Sequence, residues 1–471
     1  MRARKAISQR ERLRLLDKFK PGTPAAATAI ELLQKMIRID TTNPPGNEIA
    51  LARELDAWVR SHGYDFVKTR IIESEPGRAS LIVDILGTEP EHHPSWGFMS
   101  HLDVVPAEGK WEHPPFSGDL VQAEHDAFIW GRGAMDIKYL GAANLVAAFT
   151  LLHEGFRPKG NIKILLCADE ENGGLKGLGW LAENRLDAIK VDCCLNEGGG
   201  FKLPFKNDFV IQVGEKGVFW TRLRVHGRGG HGSMPPEHDA TAIYKAARIL
   251  DKLKRFKPEL VIGKEYLATF GAMSIPVVLK GLLRAKRLLR FLLSLAEKFT
   301  GIKLRQVVLP LVSNSIAVTN FHSGVKENSI SPDAEVVLDI RTLTGVGREQ
   351  VNETIRKAIG DDLYAQVEIE PIANQPCTTS AIDSPYYGTI ARVTGEIYPG
   401  ATLVPLLSQG STDSKFFREK GMVAYGFCPA IKDDDVTYEQ LLAMAHNVDE
   451  RISVTNLMLA VDFTYRVMRQ V

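Results

Sequence analysis

The residues of this chain best suited to chemistry gather directly after apolar runs. His101 and Asp103 follow the run 96–100, Glu170 and Glu171 follow 161–167, and Glu197 follows 191–195. Asp136 closes the segment Gly131-Arg132-Gly133-Ala134-Met135, and His446 opens His446-Asn447-Val448-Asp449-Glu450-Arg451. Two imidazoles with several carboxylates make a nitrogen and oxygen donor set, which suits zinc, cobalt or manganese. No cysteine belongs to the set, which argues against a closed structural zinc site. Each piece alone has an ordinary reading, as a core histidine or a solvated acidic turn. Their conjunction is what points to a metal centre.

The surrounding elements explain how these side chains could meet. Apolar spacing predicts helices over 25–38 and 48–62, separated by the breaker Thr41-Thr42-Asn43-Pro44-Pro45-Gly46. Strands are expected over 66–73, 80–86, 96–100, 161–167 and 191–195, with helices over 137–152 and 175–184. Strands alternating with helices imply an α/β domain with a mostly parallel sheet, whose sites lie beyond the carboxyl ends of the strands. From about residue 216 the pattern changes. Trp220, Leu223 and Val225 suggest a half-buried strand over 218–226, followed by a helix over 239–253. Strands over 315–321, 334–341 and 366–370 and a helix over 346–359 complete a β-α-β-β-α-β order with antiparallel pairing, a small ferredoxin-like α+β unit. The α/β character then returns, with helices over 385–394, 413–420 and 452–468 and a strand over 402–405. The expected organisation is a catalytic domain of 1–215 and 372–471, interrupted by an inserted lid and dimerisation domain of 216–371.

Composition narrows the function. The chain has 471 residues and a net charge of +1, so two domains are expected and a general nucleic-acid binder is not. Its five cysteines are too sparse for a disulfide framework and read as buried thiols. The polar, basic N-terminus lacks a signal-peptide core, and no apolar run of about 20 residues appears, so a cytoplasmic protein is expected.

The motifs resemble the zinc aminoacylase and carboxypeptidase family, metallopeptidase family twenty. The matching segments run from Ser100-His101-Leu102-Asp103-Val104-Val105-Pro106 through Trp130-Gly131-Arg132-Gly133-Ala134-Met135-Asp136-Ile137-Lys138 and Asp169-Glu170-Glu171. They continue with Asn196-Glu197-Gly198-Gly199 and Gly229-Gly230-His231-Gly232-Ser233, in the family's order. Trp111-Glu112-His113-Pro114-Pro115-Phe116-Ser117-Gly118 is similar to the carboxypeptidase S and N-fatty-acyl-amino-acid hydrolase branch.

The resemblance implies a hydrolase with two zinc ions, cobalt or manganese being alternatives, acting on an amide beside a free carboxylate, in a peptide C-terminus or an N-acyl amino acid. It implies that His101 and Glu197 hold one metal, Glu171 and His446 the other, and Asp136 both. Glu170 would be the general base, and Asp103 would orient the imidazole of His101. His231 would donate to the oxyanion, from the partner subunit of a homodimer. Arg341, Asn328 and the loop of Gly410 and Ser411 would bind the substrate carboxylate. Ser411 departs from the family's usual second Gly, and Asp449 from its usual Asn.

One stretch belongs to none of these roles. Residues 278–299 read as one basic amphipathic helix, with Leu282, Leu289, Leu292 and Ala296 on one face and Lys280, Arg284, Arg287 and Arg290 elsewhere. The favoured reading packs it on the lid or a dimer interface. The alternative makes the chain a membrane-surface or partner-binding protein with a vestigial metal site.

Overall fold

The structure is a computed structural model that describes residues 9–203, 206–300, 304–437, 440–441 and 444–471. Its centre is a nine-stranded sheet. Ile162–Cys167, Trp96–His101, Cys193–Asn196 and Val423–Gly426 lie side by side and parallel. Antiparallel strands Val67–Glu75 and Arg78–Ile85 extend one edge. Asp208–Glu215 lies toward the other edge, paired in parallel with Thr402–Ser408 and antiparallel with Thr378–Thr379.

Side-chain alternation fills both faces of this sheet. Leu81, Val83, Phe98 and Leu166 face helices Pro24–Arg38, Lys138–His153 and Val454–Met468. Ile82, Met99 and Leu165 face helices Leu178–Asn184 and Ser414–Glu419. A strand buried on both faces reads as a continuous apolar run, which is why 96–100 and 161–167 were legible. Lys138–His153 is apolar nearly all round and lies buried between the sheet and Val454–Met468.

A second sheet has strand order Ser315–Ser323, Asp333–Thr342, Gly217–His226, Val367–Pro371, all antiparallel. Helices Ala242–Arg255 and Arg348–Ile359 cover one face, so the unit is the expected ferredoxin-like arrangement. The parity of its first strand differs from expectation. Phe219, Leu223 and Val225 point into the core, whereas Trp220 is 44 % exposed on the opposite face. A period of two cannot place residues 220 and 223 on the same side.

Two other expectations change. The single helix over 278–299 is two, Val277–Leu283 and Lys286–Thr300, with a break at Arg284-Ala285. Leu289 is buried, Leu282 is exposed and Leu292 is half-buried, so these leucines do not share one packed face; the side chain of Ala296 lies outside the described residues. His231 belongs to a two-residue strand, Gly230–His231, paired with Ser329–Ile330. Among the described residues no helix is long and apolar enough to cross a membrane.

The parity of Gly217–His226 is testable by substitution. Leu223→Ala should cost about 2–5 kcal/mol, as buried leucines do. Trp220→Ala should cost less than about 1 kcal/mol in the same denaturant titration.

Candidate metal centre

Three parallel strands end at the same edge and release the reacting groups together. His101 is the last residue of its strand and lies in register with Cys167, after which Asp169, Glu170 and Glu171 form a tight turn. Phe98 is level with Leu195, so Glu197 emerges beside them just past Asn196. Asp169 has φ 71, a left-handed conformation that turns the chain sharply before the two glutamates. Asp136 arrives from a loop in which Gly133 has φ 84, and a Cβ there would stand 2.8 Å from Val104 Cγ1.

Asp136 lies between the two histidines. Its Oδ1 is 3.2 Å from His101 Nε2, and its Oδ2 is 3.0 Å from His446 Nε2. His446 Nε2 is also 3.1 Å from Glu171 Oε2. On the other side, His101 Nε2 is 3.8 Å from Glu197 Oε1 and 4.0 Å from Glu170 Oε2. One donor atom each from His101, Asp136 and Glu171 lies within 4.8 Å of the others, and the same holds for His101, Glu170 and Glu197. The structure thus brings His101, Asp136, Glu170, Glu171, Glu197 and His446 into one cluster.

Asp103 occupies a different place from the one expected. The nearest partner of His101 Nδ1 is the Asp103 backbone carbonyl, at 2.9 Å, while the carboxylate stands at 3.6 Å. The carboxylate accepts instead from the backbone N–H groups of Glu170 and Glu171, both at 3.1 Å, and from Asn43 Nδ2 at 2.8 Å. It therefore clamps the turn that presents both glutamates. Behind it, buried Arg78 pairs with Asp169 at 2.7 Å and with Glu48 at 2.8 Å.

Glu450 is a positioning residue that sequence reasoning missed. Its Oε1 accepts from the backbone N–H groups of Met135 and Asp136, at 2.8 and 2.9 Å. Its Oε2 pairs with buried Arg132 at 2.7 Å. The side chain is fully buried, and it fixes the backbone that carries Asp136. Its only signal was proximity to His446, four residues earlier.

Electrostatics set a demand for cations. Burial disfavours the charged form of His101, but Glu197, Asp136 and Glu170 outweigh it and hold the imidazole protonated well above its ordinary range. Hydrogen bonds to Asp136 and Glu171 push His446 up to about 10. Burial raises Glu197 to about 8 and Glu170 well above the usual carboxylate range, the latter helped by Glu197. Asp136 is desolvated too, but the hydrogen bonds from His101 and His446 hold it below the usual range. Glu171 Oε1 is buried with no hydrogen-bond partner. Such a donor set, with an orphaned carboxylate oxygen turned inward, fits two divalent cations.

The residues expected to bind substrate fall into two groups. Arg341 pairs with Asp339 at 2.7 Å and reaches the Gln409 carbonyl at 3.5 Å, so it lies beside the loop of Gly410 and Ser411. That loop is tied to the cluster, because Lys415 Nζ donates to Ser411 Oγ at 3.1 Å and to the Gly173 carbonyl at 3.3 Å. Buried Glu215, also missed, accepts from Thr412 N and Oγ1 at 2.9 and 2.7 Å. His231 and Asn328 form the second group. Gly232 donates to the Asn328 carbonyl at 2.9 Å, while Ser233 N and Oγ lie 3.2 and 2.7 Å from His231 Nδ1, so these contacts are local to the short ribbon.

The family model for Peptidase family M20/M25/M40 matches residues 97–470, and the chain belongs to that family of metal-dependent peptidases and amidohydrolases. It is 28 % identical to the N-fatty-acyl-amino acid synthase/hydrolase of Homo sapiens, over 93 % of this chain and 87 % of that protein. It is 27 % identical to carboxypeptidase S of Saccharomyces cerevisiae, over 80 % of this chain and 72 % of that protein. The structure is similar to an M20 family metallo-carboxypeptidase from Sulfolobus solfataricus, with a TM-score of 0.68 and 19 % identity over 95 % of this chain and 98 % of that one. The chain is accordingly a metal-dependent hydrolase of that peptidase family.

Two measurements test this site. Glu450→Gln should weaken metal binding roughly 10–100-fold, as loss of a supporting hydrogen bond does, in a calorimetric titration of the metal-free protein. The metal-free protein should also lose thermal stability as pH rises. The contribution of His446 is fully present below its ordinary 6.5 and lost as pH rises through about 10. Desolvated Glu197 acts in the same direction between its ordinary 4.5 and about 8. Melting curves across this range should slope downward without metal and flatten with it.

Proposed function

We propose that the chain is a dinuclear zinc hydrolase that cleaves an amide beside a free carboxylate. The observation that carries this reading is the placement of Asp136, one oxygen toward His101 and the other toward His446. His101 and Glu197 would hold one metal and Glu171 and His446 the second, with the Asp136 carboxylate between them offsetting the repulsion of two cations. Bound metal supplies Lewis acidity toward the scissile carbonyl and toward a water at the centre.

The protein's own groups do the rest. Glu170, raised by burial and by Glu197, is suited to take a proton from the attacking water and hand it to the leaving amine nitrogen. The Asp103 clamp on its backbone N–H keeps that carboxylate aimed while its protonation changes. Arg341, Asn328 and the Gly410–Ser411 loop bind the substrate carboxylate, the Arg341 guanidinium doing so through its Nη1 side, since Nε and Nη2 donate to Asp339. His231 donates to the developing oxyanion. Its local contacts leave it available to a second copy of the chain, and residues 216–371 serve as lid and dimerisation domain of a homodimer.

Metal-loaded protein should hydrolyse N-acyl amino acids or dipeptides with zinc, cobalt or manganese. Absence of turnover on both classes with metal bound rejects the reading. Glu170→Gln should lower kcat by about 10²–10⁴-fold while the protein still binds metal. His231→Ala should lower turnover about 10²-fold or more, and a near-normal rate would remove His231 from the oxyanion role.

A further inference from the structure

The helices between residues 264 and 308 carry surface that neither sheet uses. Helix Lys286–Thr300 turns Leu289 and Leu293 inward against Tyr266, Leu283 and Val312. Its opposite face is apolar as well: Leu288, Phe291 and Leu295 are 50 %, 63 % and 41 % exposed. At 3.6 residues per turn these three share an arc of about 60°, flanked on one side by Arg287 and Lys298. The preceding helix, Val277–Leu283, adds Val277 and Val278, at 82 % and 76 % exposed. Apolar side chains this open on two consecutive helices are unusual on a surface that faces only water.

Charge accompanies them. Residues 277–300 contain six lysines and arginines and one acid, Glu297, in a chain whose net charge is only +1. Glu297 is already paired with Arg305. Lys286 pairs with Glu259, and Lys280 and Arg290 donate to the carbonyls of Gly271 and Pro258. The side chains of Arg284, Arg287 and Lys298 make no hydrogen bond or ion pair among the described residues.

We propose that this face docks on a lipid bilayer bearing anionic headgroups. Val277, Val278, Leu288 and Phe291 would enter the boundary between headgroups and acyl chains, while Arg284, Arg287 and Lys298 meet lipid phosphates. A second copy of the chain is the poorer occupant, because a two-fold contact through this face sets its cations against their own copies with no free acid to answer them. A nucleic acid would satisfy the cations but leave Val277, Val278 and Phe291 without a partner.

The experiment is sedimentation of the full chain with vesicles of phosphatidylcholine, with and without phosphatidylglycerol. Binding is expected only with the anionic lipid and should weaken in high salt. Val278→Asp/Phe291→Asp and Arg284→Glu/Arg287→Glu should each reduce it at least roughly tenfold. Both variants should keep the wild-type rate on a soluble substrate, since none of these residues belongs to the metal centre. Equal binding to both vesicles, no binding, or binding unchanged in both variants overturns the proposal. Light scattering covers the second copy: a fall in molar mass on Val278→Asp/Phe291→Asp, with vesicle binding unchanged, assigns the face to dimerisation and overturns it too.

Discussion

Crowded carboxylates repel, and the structure depends on how that repulsion is answered. Asp136, Glu170, Glu171 and Glu197 meet within a few ångströms of His101 and His446. In a desolvated site, charges this close can coexist only if opposite charge or N–H donors face them. Two imidazoles answer from inside the cluster, where divalent cations would add further positive charge. From outside, Asp103 and Glu450 each receive two backbone N–H groups and so hold the chain that carries Glu170, Glu171 and Asp136. Both are themselves buried anions, with support from Asn43 and from Arg132. The reacting groups are therefore the inner layer of a larger charge arrangement.

This layering explains what could be read from sequence. Five of the six clustered side chains stand at or just past strand ends or in a glycine-rich loop, and His446 stands in a turn ahead of Arg451–Ser453; their types are those a metal requires. Glu450 and Glu215 carry no such mark. Each acts through backbone or hydroxyl donors of residues far away in sequence, and a carboxylate that accepts N–H bonds looks like any other acid until the fold places it. Asp103 shows the same limit more finely. Its proximity to His101 suggested an imidazole partner, but side chains two apart at a strand end are not obliged to meet, and its carboxylate serves the neighbouring strand's turn.

The elements follow a similar division. Strands 96–100 and 161–167 were legible because both faces are buried, and the helix over 137–152 because it is apolar on all sides. The strand Asp208–Glu215 was not recognised, since its buried Asp208, Gln212 and Glu215 break the apolar run. Trp220 was assigned to the wrong face because a large aromatic suggests burial more strongly than its position in the alternation allows. The amphipathic stretch after residue 277 was read as one stripe because a single helical period was imposed across a break at Arg284-Ala285.

Three consecutive residues join these parts. Glu215 ends a strand of the central sheet and accepts from Thr412 of the loop beside Arg341. Lys216 is buried and donates to the carbonyls of Pro310 and Ser313, at the end of the helical insertion. Gly217 begins the second sheet in so tight a passage that a Cβ would stand 2.4 Å from Thr342 Oγ1. The chain crosses between the two sheets here and again between Pro371 and Thr378, where Gln375 bridges to Val218. Lys415 ties that same loop to Gly173, next to the Glu170–Glu171 turn, so a chain of hydrogen bonds runs from the junction of the two sheets to the clustered carboxylates. The anchoring side chains of Glu215, Lys216 and Lys415 are buried, where each hydrogen bond counts for more than it would in water, while most of their partners in the loops reach the surface.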